Sequence, residues 1–117
     1  MENRKTILQT LKKKLPDVYS IAEKYYTFIS VMNDIKLSER EIQLISFFAV
    51  RGNISYTVNK EEFCEKYNSS EATMNNIISK LKKMKILYKE GNRIKLHSAI
   101  LLDFSKNISL NINLVHE

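Results

Sequence analysis

Between positions 70 and 95 the chain sets short hydroxyls and amides ahead of a run of cations. Ser70, Ala72, Thr73, Asn75, Asn76 and Ser79 come first, followed by Lys80, Lys82 and Lys83, and then by Lys89, Arg93 and Lys95. Each type has a use on a nucleic acid. An asparagine amide can donate to and accept from the edge of adenine, small side chains meet the thymine methyl, and hydroxyls adapt to either partner. Lysine and arginine hold phosphates, which sets position on the duplex without reading its sequence. The order therefore points to duplex DNA as the partner, with readout first and phosphate grip after.

No other set of residues offers comparable chemistry. His97 and His116 have no Asp or Cys at triad or metal-ligand spacing, so both are expected to be structural or exposed. Glu61, Glu62 and Glu65 fit the solvent face of a short helix better than a pair of catalytic carboxylates. Cys64 is the only cysteine; it can form neither an internal disulfide nor a cysteine-based zinc site, and it reads as packing. The two isolated glycines cannot build a phosphate-cradling loop. The expectation is a binding module, not an enzyme, with no cofactor and no metal.

The charge distribution agrees. The net charge is +6, and it is concentrated: residues 1–15 hold five basic and one acidic side chain, and residues 80–95 hold seven and one. Residues 16–79 are net −3 and residues 96–117 net −1. Clustered positive charge attracts polyanions at long range. No apolar run approaches the length of a membrane span and no signal-peptide pattern opens the chain, so the expected setting is cytoplasmic.

Positioning these residues requires helices. With 117 residues, two Gly and one Pro, the composition favours a small, mainly helical domain over a turn-rich sandwich. Ile7, Leu8, Leu11 and Leu15 recur at helical spacing before Pro16, and Val18, Ile21, Tyr25, Phe28, Ile29 and Met32 form a second stripe opened by Asp17; residues 25–31 are also compatible with a strand. Ser38 and Glu41 have the spacing of a capping box, ahead of a helix carrying Ile42, Leu44, Ile45, Phe47, Phe48 and Val50 and ended by Gly52. Ile54, Tyr56 and Val58 alternate as a short strand would, and Asn59 with Glu62 repeats the capping spacing for a helix through Tyr67. Ser70 caps the next helix, which is expected to reach about Lys85 on a buried stripe of Met74, Ile77, Ile78, Leu81 and Met84. Residues 86–97 read as two short strands around Glu90, Gly91 and Asn92. Residues 98–106 suit a turn or two of helix, and Ile108, Leu110, Ile112 and Leu114 alternate with Ser109, Asn111 and Asn113 as a half-buried strand or an exposed arm.

Residues 60–81 (KEEFCEKYNSSEATMNNIISKL) resemble the helix-turn-helix of bacterial DNA-binding proteins. Cys64 stands at the small-residue position of the first helix, Asn68 at the turn, Ser70 at the second cap, and Met74 and Ile77 at the anchors. With the hairpin that follows and the LSEREIQLISFFAVRG helix ahead, residues 37–97 are similar to winged helix-turn-helix domains, including MarR-like regulators and plasmid or phage replication initiators. The resemblance implies a mainly α fold with a small β-hairpin wing (α+β) over residues 37–97; the spacing of apolar residues places a helical extension (1–36) before it and a C-terminal segment of short helix plus strand or arm (98–117) after it. It implies a small bacterial or phage regulator reading DNA through the 70–85 helix. The rival expectation is a virion or assembly component whose core is a rigid protein adaptor. Segments 1–36 and 107–117 would then contact protein partners or a second copy, as a homodimer or larger assembly.

Overall fold

The computed structural model describes residues 7, 15–51, 56–91 and 93–116, and for residues 56–59 the backbone alone. Among them are four helices, α1 (Val18–Met32), α2 (Glu39–Arg51), α3 (Tyr56–Tyr67) and α4 (Glu71–Lys83), then an antiparallel hairpin of β1 (Leu87–Glu90) and β2 (Arg93–Leu96), and a 3₁₀ turn at Ser98–Ile100. The architecture is mainly helical with a small two-stranded sheet. The expected helix over 5–15, the Gly52 terminator, Ile54 of the expected connector strand and Asn92 of the turn lie outside the described residues.

α2 is the centre of the fold. It packs against α1, α3, α4 and β2, which is why Ile42, Leu44, Ile45, Phe47 and Phe48 are all buried on more than one stripe. Its start follows from the expected capping box: the Ser38 amide donates to Glu41 Oε1 (2.7 Å) and the Glu41 amide donates to Ser38 Oγ (3.1 Å), so two otherwise orphaned donors are satisfied. α1 is capped by Asp17, which accepts from the Ser20 amide. Tyr19 stacks on Phe47 at 5.9 Å between ring centroids, and Phe47 meets Phe63 edge-on at 5.6 Å. The core thus runs from α1 through α2 to α3.

Three helices end the same way. Asp34, Asn68 and Lys85 take the left-handed conformation (φ 54°, 50° and 62°). After each, the next amide returns to a carbonyl five residues back: Ile35 to Ser30 (2.8 Å), Ser69 to Cys64 (3.0 Å) and Ile86 to Leu81 (3.0 Å). This closure is usually made by glycine, because a Cβ is strained there. A chain with two glycines makes it with Asp, Asn and Lys.

Several expectations are corrected. On α1 the buried residues are Ala22, Tyr26 and Ser30; Val18, Ile21 and Tyr25 of the expected stripe pack against this core, whereas its later members Phe28 and Met32 are exposed. Residues 25–31 are helix, not strand. Tyr56 and Val58 lie within α3, so no strand includes them, and Asn59 sits inside the helix instead of capping it. Glu62 instead pairs with Arg51 at the end of α2. α4 stops at Lys83, two residues short of Lys85, because Lys85 adopts the left-handed turn; this leaves Met84 exposed. The helix expected in 98–106 shrinks to one 3₁₀ turn, and residues 107–114 form no strand with any described residue.

The segment after the hairpin is clamped onto α1. Phe104 is buried with its ring 5.6 Å from Tyr25 and 5.5 Å from Tyr26, and the Tyr26 hydroxyl donates to the Ile100 carbonyl. Burial, and secondarily the neighbouring Tyr25, push the Tyr26 hydroxyl well above its ordinary pKa, so it stays a donor.

Candidate nucleic-acid interface

α4 and the hairpin carry all twelve residues singled out for nucleic-acid contact. Ser70 is the α4 N-cap: its Oγ accepts from the Thr73 amide at 3.1 Å and its hydroxyl donates to Thr73 Oγ1 at 2.9 Å. The two hydroxyls therefore order the first turn. Met74, Ile78 and Leu81 are buried and anchor the helix from behind. Ala72, Thr73, Asn76, Ser79 and Lys83 are exposed and recur every three or four residues, so they share the opposite face. Asn75 is half-buried at the margin of that face and is engaged in an interaction of its own.

The cations divide into two groups. Lys80 is committed inward: its Nζ lies 2.7 Å from Glu41 Oε2, with the Glu41 side chain only 6 % exposed. Lys95, half-buried, pairs with Glu90 at 3.3 Å. Lys82, Lys83, Lys85, Lys89 and Arg93 are exposed, and none makes an ion pair with a described residue. Lys82 and Lys83 also lie in the last turn of α4, where the negative end of the helix dipole favours positive charge. That contribution to helix stability is compatible with a second role at the surface.

Hairpin register decides where the wing cations go. Leu87 faces Leu96 and Lys89 faces Ile94, while Tyr88 pairs with Lys95 and Glu90 with Arg93. Leu87, Ile94 and Leu96 are buried, so Lys89 shares the inner face and Arg93 the outer one. The two exposed cations flank the tip on opposite faces. Gly91 makes the turn at φ +61°, which the tight hairpin requires.

Glu71, an acid in the first turn of α4, is met by Lys60 of α3 at 3.4 Å. Its charge is thereby partly offset beside the readout residues. Glu41 is the residue that sequence reasoning credited with one task and the structure gives two. Burial raises its pKa, but hydrogen bonds from Lys80 and from the Ser38 amide outweigh this, and the net shift is below the ordinary 4.5. One carboxylate closes the cap of α2 and holds α4. Arg40 acts similarly, its Nη1 donating to the Tyr67 carbonyl at 2.6 Å where α3 ends. Nothing local in the sequence signals either cross-link, since the partners lie 39 and 27 residues apart.

The remaining sites are unpromising for chemistry. Cys64 is half-buried against the core, and the His97 ring accepts from the Ala99 amide at 3.1 Å. An open depression of about 510 Å³ between α1 and α2, lined by Ser20, Glu23, Thr27, Leu37, Glu39 and Ile42, shares no residue with the α4 surface. Among the described residues no group of three His, Cys, Asp or Glu side chains is placed to hold a metal, and no helix is long and apolar enough to cross a membrane. Comparison with known proteins finds no matching family model, curated protein or solved structure.

Proposed function

We propose that this chain is a winged-helix DNA-binding protein that holds duplex DNA through α4 and the β1–β2 hairpin. The observation that carries the reading is the two-sided character of α4: Met74, Ile78 and Leu81 are buried, while Ala72, Thr73, Asn76, Ser79, Lys82 and Lys83 are exposed. Small polar groups near the N-terminus of an outward helix, followed by lysines that pair with no described residue, suit entry into the major groove with phosphates held behind. Lys89 and Arg93 extend the cationic surface onto the wing. Asn68 at φ 50° supports the helix-turn-helix reading, because it supplies the left-handed turn between α3 and α4. The role is regulatory in character and needs no catalysis. The rival, a protein adaptor, gives Lys82 and Lys83 no task beyond the helix dipole.

The experiment is an anisotropy titration of labelled duplexes of mixed sequence at several salt concentrations. Binding that weakens with salt, by about 0.9 in log–log slope for each phosphate neutralised, is the expected result. Absence of salt-dependent binding at micromolar protein would overturn the proposal.

A further inference from the structure

The exposed face of α4 is selective in what it leaves out. A helix turns about 100° per residue, so Ala72, Thr73, Ser79, Lys80 and Lys83 lie within about 60° of the line through Asn76. Between Glu71 and Ser79 that face carries no cation and no carboxylate. Guanine is read in the major groove by a bidentate arginine or lysine on O6 and N7, and cytosine by a carboxylate that accepts from its N4 amine. Neither reader is in place here. Lys80 is the first cation on the face, and Glu41 Oε2 holds its Nζ at 2.7 Å. Lys83 stands in the last turn, about 10 Å along the axis from Asn76. Glu71 lies about 140° around the axis from Asn76, and Lys60 of α3 meets it at 3.4 Å. Arg93 belongs to β2, not to α4.

The groups that are present suit the other base pair. Asn76 is exposed and makes no hydrogen bond with a described residue, so its NH2 can donate to adenine N7 while its carbonyl oxygen accepts from adenine N6. On guanine the same pose sets that carbonyl oxygen against O6, acceptor against acceptor. One turn earlier, Ala72 and Thr73 are exposed as well. Thr73 Oγ1 accepts from the Ser70 hydroxyl at 2.9 Å, and the Thr73 methyl group and the Ala72 Cβ offer apolar contacts of the kind that meet the thymine C5-methyl group.

We infer that the α4 surface recognises A·T base pairs in the major groove, with Asn76 on adenine and Ala72 and Thr73 on the thymine methyl, and discriminates against G·C pairs. The inference rests on the DNA-binding reading above and names the class of duplex that this site takes. Phosphate contacts from Lys82 and Lys83 are the same on either class, so they set affinity without adding to the preference.

Anisotropy titrations at several salt concentrations test it, with labelled duplexes of equal length that share their flanks and differ in a central block of A·T or of G·C pairs. The A·T block is expected to bind at least about tenfold more tightly. Replacing its thymine by uracil removes only the methyl group, and replacing its adenine by 7-deazaadenine removes only the N7 acceptor. Each replacement should weaken binding about threefold or more, which assigns the preference to the major groove and not to minor-groove width. Asn76→Ala should lower the A·T-over-G·C ratio at least about fivefold, with the salt slope unchanged. Salt-dependent binding that is equal on the two blocks, or tighter on G·C, would overturn the inference and leave the DNA-binding reading standing. So would an A·T preference that survives Asn76→Ala or both base replacements. Salt-dependent binding to neither duplex would overturn both.

Discussion

At the scale of single residues, Glu41 and Lys80 join the stability of the fold to the orientation of α4. The carboxylate is buried, accepts from the Ser38 amide and holds Lys80 at 2.7 Å. Its folded pKa lies below the ordinary 4.5. Its contribution to stability is therefore present above that value and is lost as pH falls through the folded pKa. Lys80→Met is expected to cost about 1–3 kcal/mol near neutral pH, because it strips a buried carboxylate of its cation but leaves the Ser38 bonds. Denaturant unfolding should show this difference shrinking as pH falls below 4.5 and through the lower folded pKa, where Glu41 becomes neutral. The same pairing separates the lysines in DNA binding. Lys82→Ala should lower the salt slope by about one, as loss of a phosphate contact does. Lys80→Ala should lower it less, and equal slopes would show that the Glu41 pair does not withhold Lys80. Asn76→Ala should relax sequence preference by about 1–3 kcal/mol, measured on duplexes that differ at single positions.

At the scale of elements, the notable device is helix termination without glycine. Lys85 holds φ 62° between α4 and the hairpin, a conformation that costs a residue with a Cβ about 1–2 kcal/mol. Lys85→Gly removes that strain at the expense of a more flexible unfolded chain. A net gain of about 0.5–1 kcal/mol in equilibrium unfolding is expected, with the α4-to-hairpin geometry retained. Gly91 is the converse case. No atom stands within 4 Å of a Cβ built there, and φ is +61°, so Gly91→Ala should cost about 1 kcal/mol from backbone strain alone.

At the scale of the whole molecule, the core is assembled by segments distant in sequence. The Tyr26 hydroxyl reaches Ile100, 74 residues away, and Phe104 fills the space beside Tyr25 and Tyr26. α1 and the segment after the hairpin are thus mutual supports. Phe104→Ala should destabilise the chain by about 3–5 kcal/mol. Hydrogen exchange should then show loss of protection spreading into α1, as well as into the segment that follows β2.

The parts legible in the sequence are those decided within three or four residues. The Ser38 and Glu41 box, the Ser70 cap, the buried Met74, Ile78 and Leu81, the positive φ of Asn68 and the hairpin around Gly91 are local hydrogen bonds and local periodicities, which any tertiary context must accommodate. The candidate surface was legible to the same extent, as a face of α4 followed by cations. What only the tertiary structure decided is which face α1 buries, that Tyr56 already belongs to a helix, that Lys85 ends α4, and that Lys80 and Lys95 spend their charge on Glu41 and Glu90. Long side chains choose partners by where elements meet in space, and the energy of those meetings overrides local preference. Spacing along the chain cannot encode a contact between residues 39 positions apart, so these choices emerge only when the helices pack.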